Sequence, residues 1–204
     1  MAHKTLTTAI LVGGDSTRYG SEKSTTMFRG KPLVAHMISI ARTISPRVIL
    51  VTSSEDHMSS LREYAQGLEI AIDPEGSDRS ALNGAVTAFE YSESEYTLLL
   101  PVDTPLANKG LLMALVQLCE GHGAVVPSWP NGFVEPLHAV YLTEHAYSRG
   151  LHVIDEGKMR MQDLLDSLRN VLYVQTDVLR RFDPNLDTFA NINTIQDLKK
   201  LERR

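Results

Sequence analysis

Residues Thr8–Lys23 read TAILVGGDSTRYGSEK. Thr8–Val12 is a short apolar run, and Gly13 and Gly14 end it. An apolar run stopped by glycine reads as a buried strand opening into a loop. Two glycines permit a tight turn that side chains would block. Backbone N–H groups exposed in such a turn can face an anion at the C-terminal edge of a sheet. Ser16, Arg18 and Lys23 follow in the same loop, and the two cations suit phosphate oxygens. The spacing is neither Gly-x4-Gly-Lys-Ser/Thr nor Gly-x-Gly-x-x-Gly, so the two common nucleotide fingerprints are absent here. A plain polar turn would explain Gly13 and Gly14. It would not explain why Ser16, Arg18, Gly20 and Lys23 accompany them.

Outward from this loop, strands and helices alternate. Pro32 opens a helix whose apolar residues Leu33, Val34, Met37, Ile38 and Ala41 keep helical spacing. Strands are predicted at Arg47–Thr52, Leu68–Ile72, Tyr96–Leu100 and Gly123–Val126. Helices are predicted at Asp56–Gln66, Ser80–Tyr91 and Gly110–Leu118. This alternation implies a mostly parallel sheet with helices on both faces. The second half is less regular, with strands at Leu137–Leu142 and Val171–Gln175 and helices at Thr143–Leu151, Arg160–Leu168 and Thr194–Glu202. Thr194 is placed as the N-cap of the last helix, with Asp197 where a capping box usually has Glu. No repeat or linker interrupts the chain, so residues 1–204 are expected to form a single domain.

Composition narrows the function. The chain has 204 residues and a formal net charge of -5, and it shows no basic stripe of the kind that grips nucleic acid. An acidic chain can still hold a nucleotide through backbone amides, a few cations and a metal. The one cysteine, Cys119, excludes an intrachain disulfide and reads as a buried thiol in a helix. Neither a signal peptide nor a membrane span is predicted, and a cytoplasmic setting is expected. No His/Cys cluster has zinc spacing, and Ser16 lacks the partners of a hydrolase nucleophile. His138 falls in the apolar strand predicted for Leu137–Leu142, which suggests a structural histidine.

Asp103 lies in Pro101-Val-Asp-Thr-Pro105, directly after the apolar residues Leu98–Leu100. A carboxylate at the tip of a parallel strand sits where open sheets bind ligands. Mg2+ takes one or two carboxylates together with substrate phosphates, so Asp103 is the candidate metal ligand. A helix N-cap is the alternative role for it.

The loop from Leu11 to Lys23, followed by Gly30-Lys-Pro-Leu33, resembles the signature of the molybdenum cofactor guanylyltransferases, MobA-like nucleotidyltransferases whose loop commonly reads Leu-Ala-Gly-Gly-x-Ser-x-Arg-Met-Gly-x-Asp-Lys. This chain departs at Val12, Tyr19 and Glu22. Asp103-Thr-Pro105 resembles the family's Asp-x-Pro. Asp73, with Leu82 and Gly84, resembles its base-facing and ribose-facing segment, although Ser80 and Ala81 replace Gly-Pro. Glu135-Pro-Leu-His-Ala-Val-Tyr141 and Asn191-Ile-Asn-Thr194 resemble two further segments near the acceptor, with Ile195 in a proline position.

The resemblance implies a three-layer α/β/α, Rossmann-like nucleotidyltransferase fold. It implies transfer of GMP from GTP to a phosphorylated acceptor, Mo-molybdopterin, with Mg2+. Lys23, Arg18 and Asp103 would be catalytic. Leu11, Val12, Gly13, Gly14, Ser16, Arg18, Lys23, Asp73, Leu82, Gly84 and Asp103 would hold the nucleotide, and Asp103 the metal. Glu135, Pro136, Arg160, Asn191 and Asn193 would face the acceptor, although solvated surface charge explains Arg160 as well. Transient contact with molybdoenzymes or other cofactor-biosynthesis proteins would follow, with no nucleic acid and no membrane as partner. The loop alone leaves alternatives open: CTP in place of GTP; a sugar phosphate, phospholactate or cobinamide phosphate as acceptor; or a catalytically silent nucleotide-binding module.

Overall fold

A computed structural model describes residues 5–12, 23–77 and 79–203. The predicted cradle residues Gly13, Gly14, Ser16 and Arg18 therefore lie outside the described residues. Strand β1 (Leu6–Leu11) comes first, then a two-residue hairpin of β2 (Met27–Phe28) and β3 (Lys31–Pro32). The hairpin turn uses Arg29 and Gly30, both at positive φ (46° and 78°), as a two-residue hairpin requires. Next come α1 (Leu33–Arg42), β4 (Arg47–Thr52), α2 (Glu55–Leu61), β5 (Glu69–Ile72), α3 (Ala81–Glu90), β6 (Tyr96–Pro101), α4 (Lys109–Gln117) and β7 (Ala124–Ser128). The chain finishes with β8 (Val140–Leu142), α5 (Thr143–Asp155), α6 (Met161–Ser167), β9 (Val171–Gln175), α7 (Thr176–Leu179) and α8 (Ile195–Glu202).

Among the described residues, seven strands form one sheet in the order β5-β4-β1-β6-β8-β7-β9. Neighbours are parallel except at β8, which runs antiparallel to both β6 and β7. The alternation of strands and helices thus becomes the predicted mostly parallel sheet. Both faces are covered, which is why the central strands are apolar at nearly every position. Ile10, Leu98 and Leu100 face one cluster with α1 and α4. Ala9, Leu11 and Leu99 face the other with α3, α5 and α6.

Several expected boundaries move. The strand expected over Leu137–Leu142 divides into a 3-10 turn, Pro136–His138, and the short β8. Glu135 has φ -111° and ψ 74°, neither strand nor helix, and Pro136 then brings the chain into the turn. The polar helix expected to reach Gln66 ends at Leu61, where Tyr64 N–H and Ala65 N–H both bond to the Leu61 carbonyl and close it off. Ser80 caps α3 and Thr194 caps α8, each accepting the N–H three residues on.

Helices α3 and α5 cross at Gly150. A Cβ there would lie 2.5 Å from Val86 Cγ2. Valine is stiff at χ1 and has little room to yield. Gly150→Ala should cost about 1–3 kcal/mol, read as a lower urea midpoint with an unchanged m-value.

The order of the strands also decides where a ligand fits. From β1 the chain winds outward through β4 to β5, then returns by α3 to β6 on the opposite flank of β1. The connection reverses between β1 and β6, and open α/β sheets bind ligands outside the strand C-termini at such a point. Leu11 at the end of β1 pairs in register with Pro101 at the end of β6.

Candidate active site

Lys23 and Asp103 follow those two adjacent strand ends and meet. Lys23 Nζ is 2.5 Å from Asp103 Oδ2 and 2.6 Å from Asn193 Oδ1. Asp103 and Asn193 lie 80 and 170 positions from Lys23 in the chain. Lys23 starts a short 3-10 turn, Lys23–Thr25, closed by Thr26 N–H to the Lys23 carbonyl and joined to α1 by Leu33 N–H to the Thr26 carbonyl. Asp103 follows β6 in a turn braced at both ends. Thr104 donates its hydroxyl to the Pro101 carbonyl, and Ile192 donates its N–H to the Asp103 carbonyl at 2.9 Å. That last bond draws the segment Asn191–Asn193 across the strand tip. Asn193 is held by its own N–H, which donates to Asp197 Oδ2, while Thr194 caps α8.

The Asp103 side chain is 14% exposed and that of Lys23 24%. Only one carboxylate oxygen of Asp103 is used by Lys23. Oδ1 is buried with no hydrogen-bond partner among the described residues. A buried acceptor without a donor is costly, and a hard carboxylate oxygen is a fitting ligand for a small divalent cation. No group of three or more His, Cys, Asp or Glu side chains gathers to hold a metal, among the described residues. A divalent cation held by one or two carboxylates commonly takes further ligands from substrate phosphates and water.

Residues 8–171 match the family model for the MobA-like NTP transferase domain. The chain belongs to that family. It is 30% identical over 203 residues to the probable molybdenum cofactor guanylyltransferase of Methanosarcina mazei, covering 94% of this chain and 88% of the relative. The crystal structure of molybdopterin-guanine dinucleotide biosynthesis protein A from Archaeoglobus fulgidus superposes with a TM-score of 0.83 at 27% identity, covering 97% of each chain. Rv0371c from Mycobacterium tuberculosis, solved in complex with manganese, shares the fold at 16% identity and a TM-score of 0.67 over 98% of both chains. As a member of this family, the chain is a nucleotidyltransferase.

The other family-matched residues have varied surroundings. Leu11, Val12 and Leu82 have buried side chains within the two cores. Gly84 on α3 packs against Leu11, whose methyl carbons would lie 3.8–3.9 Å from an added Cβ. These four are packing residues at the end of β1 and the start of α3 and present no polar side chain. Asp73 follows β5 and accepts the Thr87 hydroxyl at 2.7 Å, so part of its carboxylate is engaged by α3. Burial raises its pKa, and the Thr87 bond opposes that rise.

Glu135 accepts the Trp129 indole N–H at 2.7 Å, and the Pro136 carbonyl accepts the Tyr141 hydroxyl at 2.7 Å. Partial burial pushes the Glu135 carboxyl up, again opposed by its hydrogen bond. Arg160 is 79% exposed and pairs with Asp163 at the start of α6, so this contact already engages its guanidinium. Asn191 is exposed and lies across the buried Ile192 from Asn193.

His138, expected within a strand, sits in the 3-10 turn and is 2% exposed. Burial pushes its pKa down to about 3, so the ring is neutral. Its Nε2 lies 3.2 Å from Thr104 Oγ1. The sequence signals neither Thr104 nor this contact. An isolated polar residue in an apolar segment is the only local sign, and it does not name a partner 34 positions away. No described helix is long and apolar enough to cross a membrane.

Proposed function

We propose that this chain transfers GMP from GTP to the phosphate of Mo-molybdopterin, forming the guanine dinucleotide cofactor and releasing pyrophosphate. The observation that carries the reading is the junction of Lys23, Asp103 and Asn193 at the reversal point of the sheet. An oxygen of the acceptor phosphate attacks the α-phosphorus. The bond from that phosphorus to the β-bridging oxygen breaks, and its electron pair leaves with pyrophosphate. A phosphate monoester is already ionised near neutral pH, so no general base is demanded. Such transfer relies on positioning and charge stabilisation.

In this reading Gly13, Gly14 and Ser16 cradle the β- and γ-phosphates, and Arg18 with Lys23 offsets the charge on the departing group. Asp103 holds Mg2+, which when bound supplies Lewis-acid polarisation of a phosphoryl oxygen. Leu11, Val12, Leu82 and Gly84 shape the nucleotide floor, and Asp73 faces base or ribose. Asn193 orients Lys23, while Glu135, Pro136, Arg160 and Asn191 bound the acceptor side.

A thermal-shift series with GTP, CTP, UTP and ATP, each with Mg2+, tests the nucleotide. GTP at ~100 times its Kd should raise stability by ~2.7 kcal/mol, with little response to the others. A selective response to CTP would reassign the base, a response to GTP with no pyrophosphate release on adding any acceptor would point to a silent nucleotide-binding module, and no response to any nucleotide would overturn the reading. Pyrophosphate release on adding Mo-molybdopterin, and not on adding a sugar phosphate, would then support the acceptor.

A further inference from the structure

We infer that His138 is a positioning residue for the site, fixing the Asp103 carboxylate through the Thr104 hydroxyl. The inference rests on the reading of Asp103 as the metal-holding group. A hydroxyl has one proton. That of Thr104 goes to the Pro101 carbonyl at 3.2 Å, because a carbonyl can only accept. The contact of Thr104 Oγ1 with His138 Nε2 therefore has the imidazole as donor, which assigns the proton to Nε2 and leaves Nδ1 bare. Nδ1 is buried with no hydrogen-bond partner among the described residues, and Glu135 Oε2 is 3.8 Å away from it.

The ring is held in this orientation from outside. Phe189 packs edge-on against it, with centroids 5.2 Å apart and planes at 90°, and also touches Trp129. Trp129 in turn donates to Glu135. Thr104 is 0% exposed and adjoins Asp103 in the chain. The backbone of the Asp103–Thr104 turn is thus clamped by Ile192 on one side and by the His138–Thr104–Pro101 chain on the other. An aliphatic side chain would fill the space beneath the turn without burying an unsatisfied nitrogen. What the imidazole adds is a directed donor under the residue that follows the carboxylate. Outer groups that orient a metal's ligand commonly change metal affinity by ~10- to 100-fold when removed.

Three substitutions test this. His138→Phe keeps a ring against Phe189 and removes the donor. His138→Gln keeps an N–H donor at similar reach. Thr104→Val removes the relaying hydroxyl and is the alternative if His138→Phe does not fold. Mn2+ binding followed by electron paramagnetic resonance in the presence of GTP, and the Mg2+ half-saturation of pyrophosphate release, are the readouts.

Either His138→Phe or Thr104→Val should weaken Mn2+ binding and raise the Mg2+ half-saturation ~10-fold, with the KM for GTP at saturating Mg2+ moving less than ~2-fold. His138→Gln should keep both within ~3-fold of the wild type. The double variant H138F/T104V should be no worse than either single one, since both break one chain. Wild-type Mn2+ binding in folded His138→Phe and Thr104→Val, or a loss in His138→Gln as large as in His138→Phe, overturns the inference. Asp103→Asn measured in parallel separates the two layers. If it binds Mn2+ as the wild type does, the metal assignment fails and the inference falls with it. If it loses Mn2+ while His138→Phe does not, only the His138 inference fails.

Discussion

Asp103→Asn should lower turnover at least ~10²-fold and leave the melting temperature within a few degrees of the wild type. The substitution keeps the shape of the side chain and an oxygen within reach of Lys23, but it removes the charge. Oδ1, buried and without a partner among the described residues, is the atom that suffers most. As an amide it no longer offers the hard anionic ligand that a divalent cation selects. Stability is expected to change little because the amide keeps an oxygen on Lys23 and removes the charge from a mostly buried carboxylate, so the relieved desolvation offsets the weakened ion pair. Pyrophosphate release and thermal unfolding on the same preparation check both halves. Turnover within ~3-fold of wild type in a folded variant would remove Asp103 from the chemistry, since loss of one such charge commonly costs ~10²-fold.

Lys23→Ala should lower kcat ~10²-fold, with a smaller change in the KM for GTP. Its ammonium stands between Asp103 and Asn193. Charge on the β-phosphate grows as the α–β bridge breaks, so a cation there acts more strongly on the transition state than on bound GTP. Lys23→Arg is not expected to restore the rate. The ammonium is a compact point charge making two short contacts, whereas a guanidinium is a wide planar fork needing different partners. Steady-state kinetics of the three proteins decide the matter. A variant that raises KM with kcat unchanged would make Lys23 a ground-state binding residue only.

Much of the fold was legible because periodicity is a local property. Thr8–Val12, Arg47–Thr52 and Tyr96–Leu100 are apolar at nearly every position, as strands covered on both faces must be, and the structure aligns them as β1, β4 and β6. Leu137–Leu142 was less legible. Its composition suits a strand throughout, yet the backbone at Glu135 and the ring of Pro136 set a 3-10 turn first, leaving only Val140–Leu142 to pair with β6 and β7. The reversed direction of β8 within a parallel sheet has no sequence signature at all.

The candidate site divides the same way. Local chemistry singled out Lys23 and Asp103, since a basic loop after one strand and a carboxylate after another are each readable within a dozen residues or so. The sequence alone also determined the family, through motifs whose order spans the chain. Tertiary structure decided the rest: that β1 and β6 are neighbours, that Asn193 meets Lys23 across 170 positions, and that His138 supports Thr104. Those contacts depend on strand order and on how the irregular C-terminal half folds back over the strand tips. Hydrogen-bond partners so distant in the chain leave no periodic trace, because only the closure of the core brings them within about 3 Å of each other.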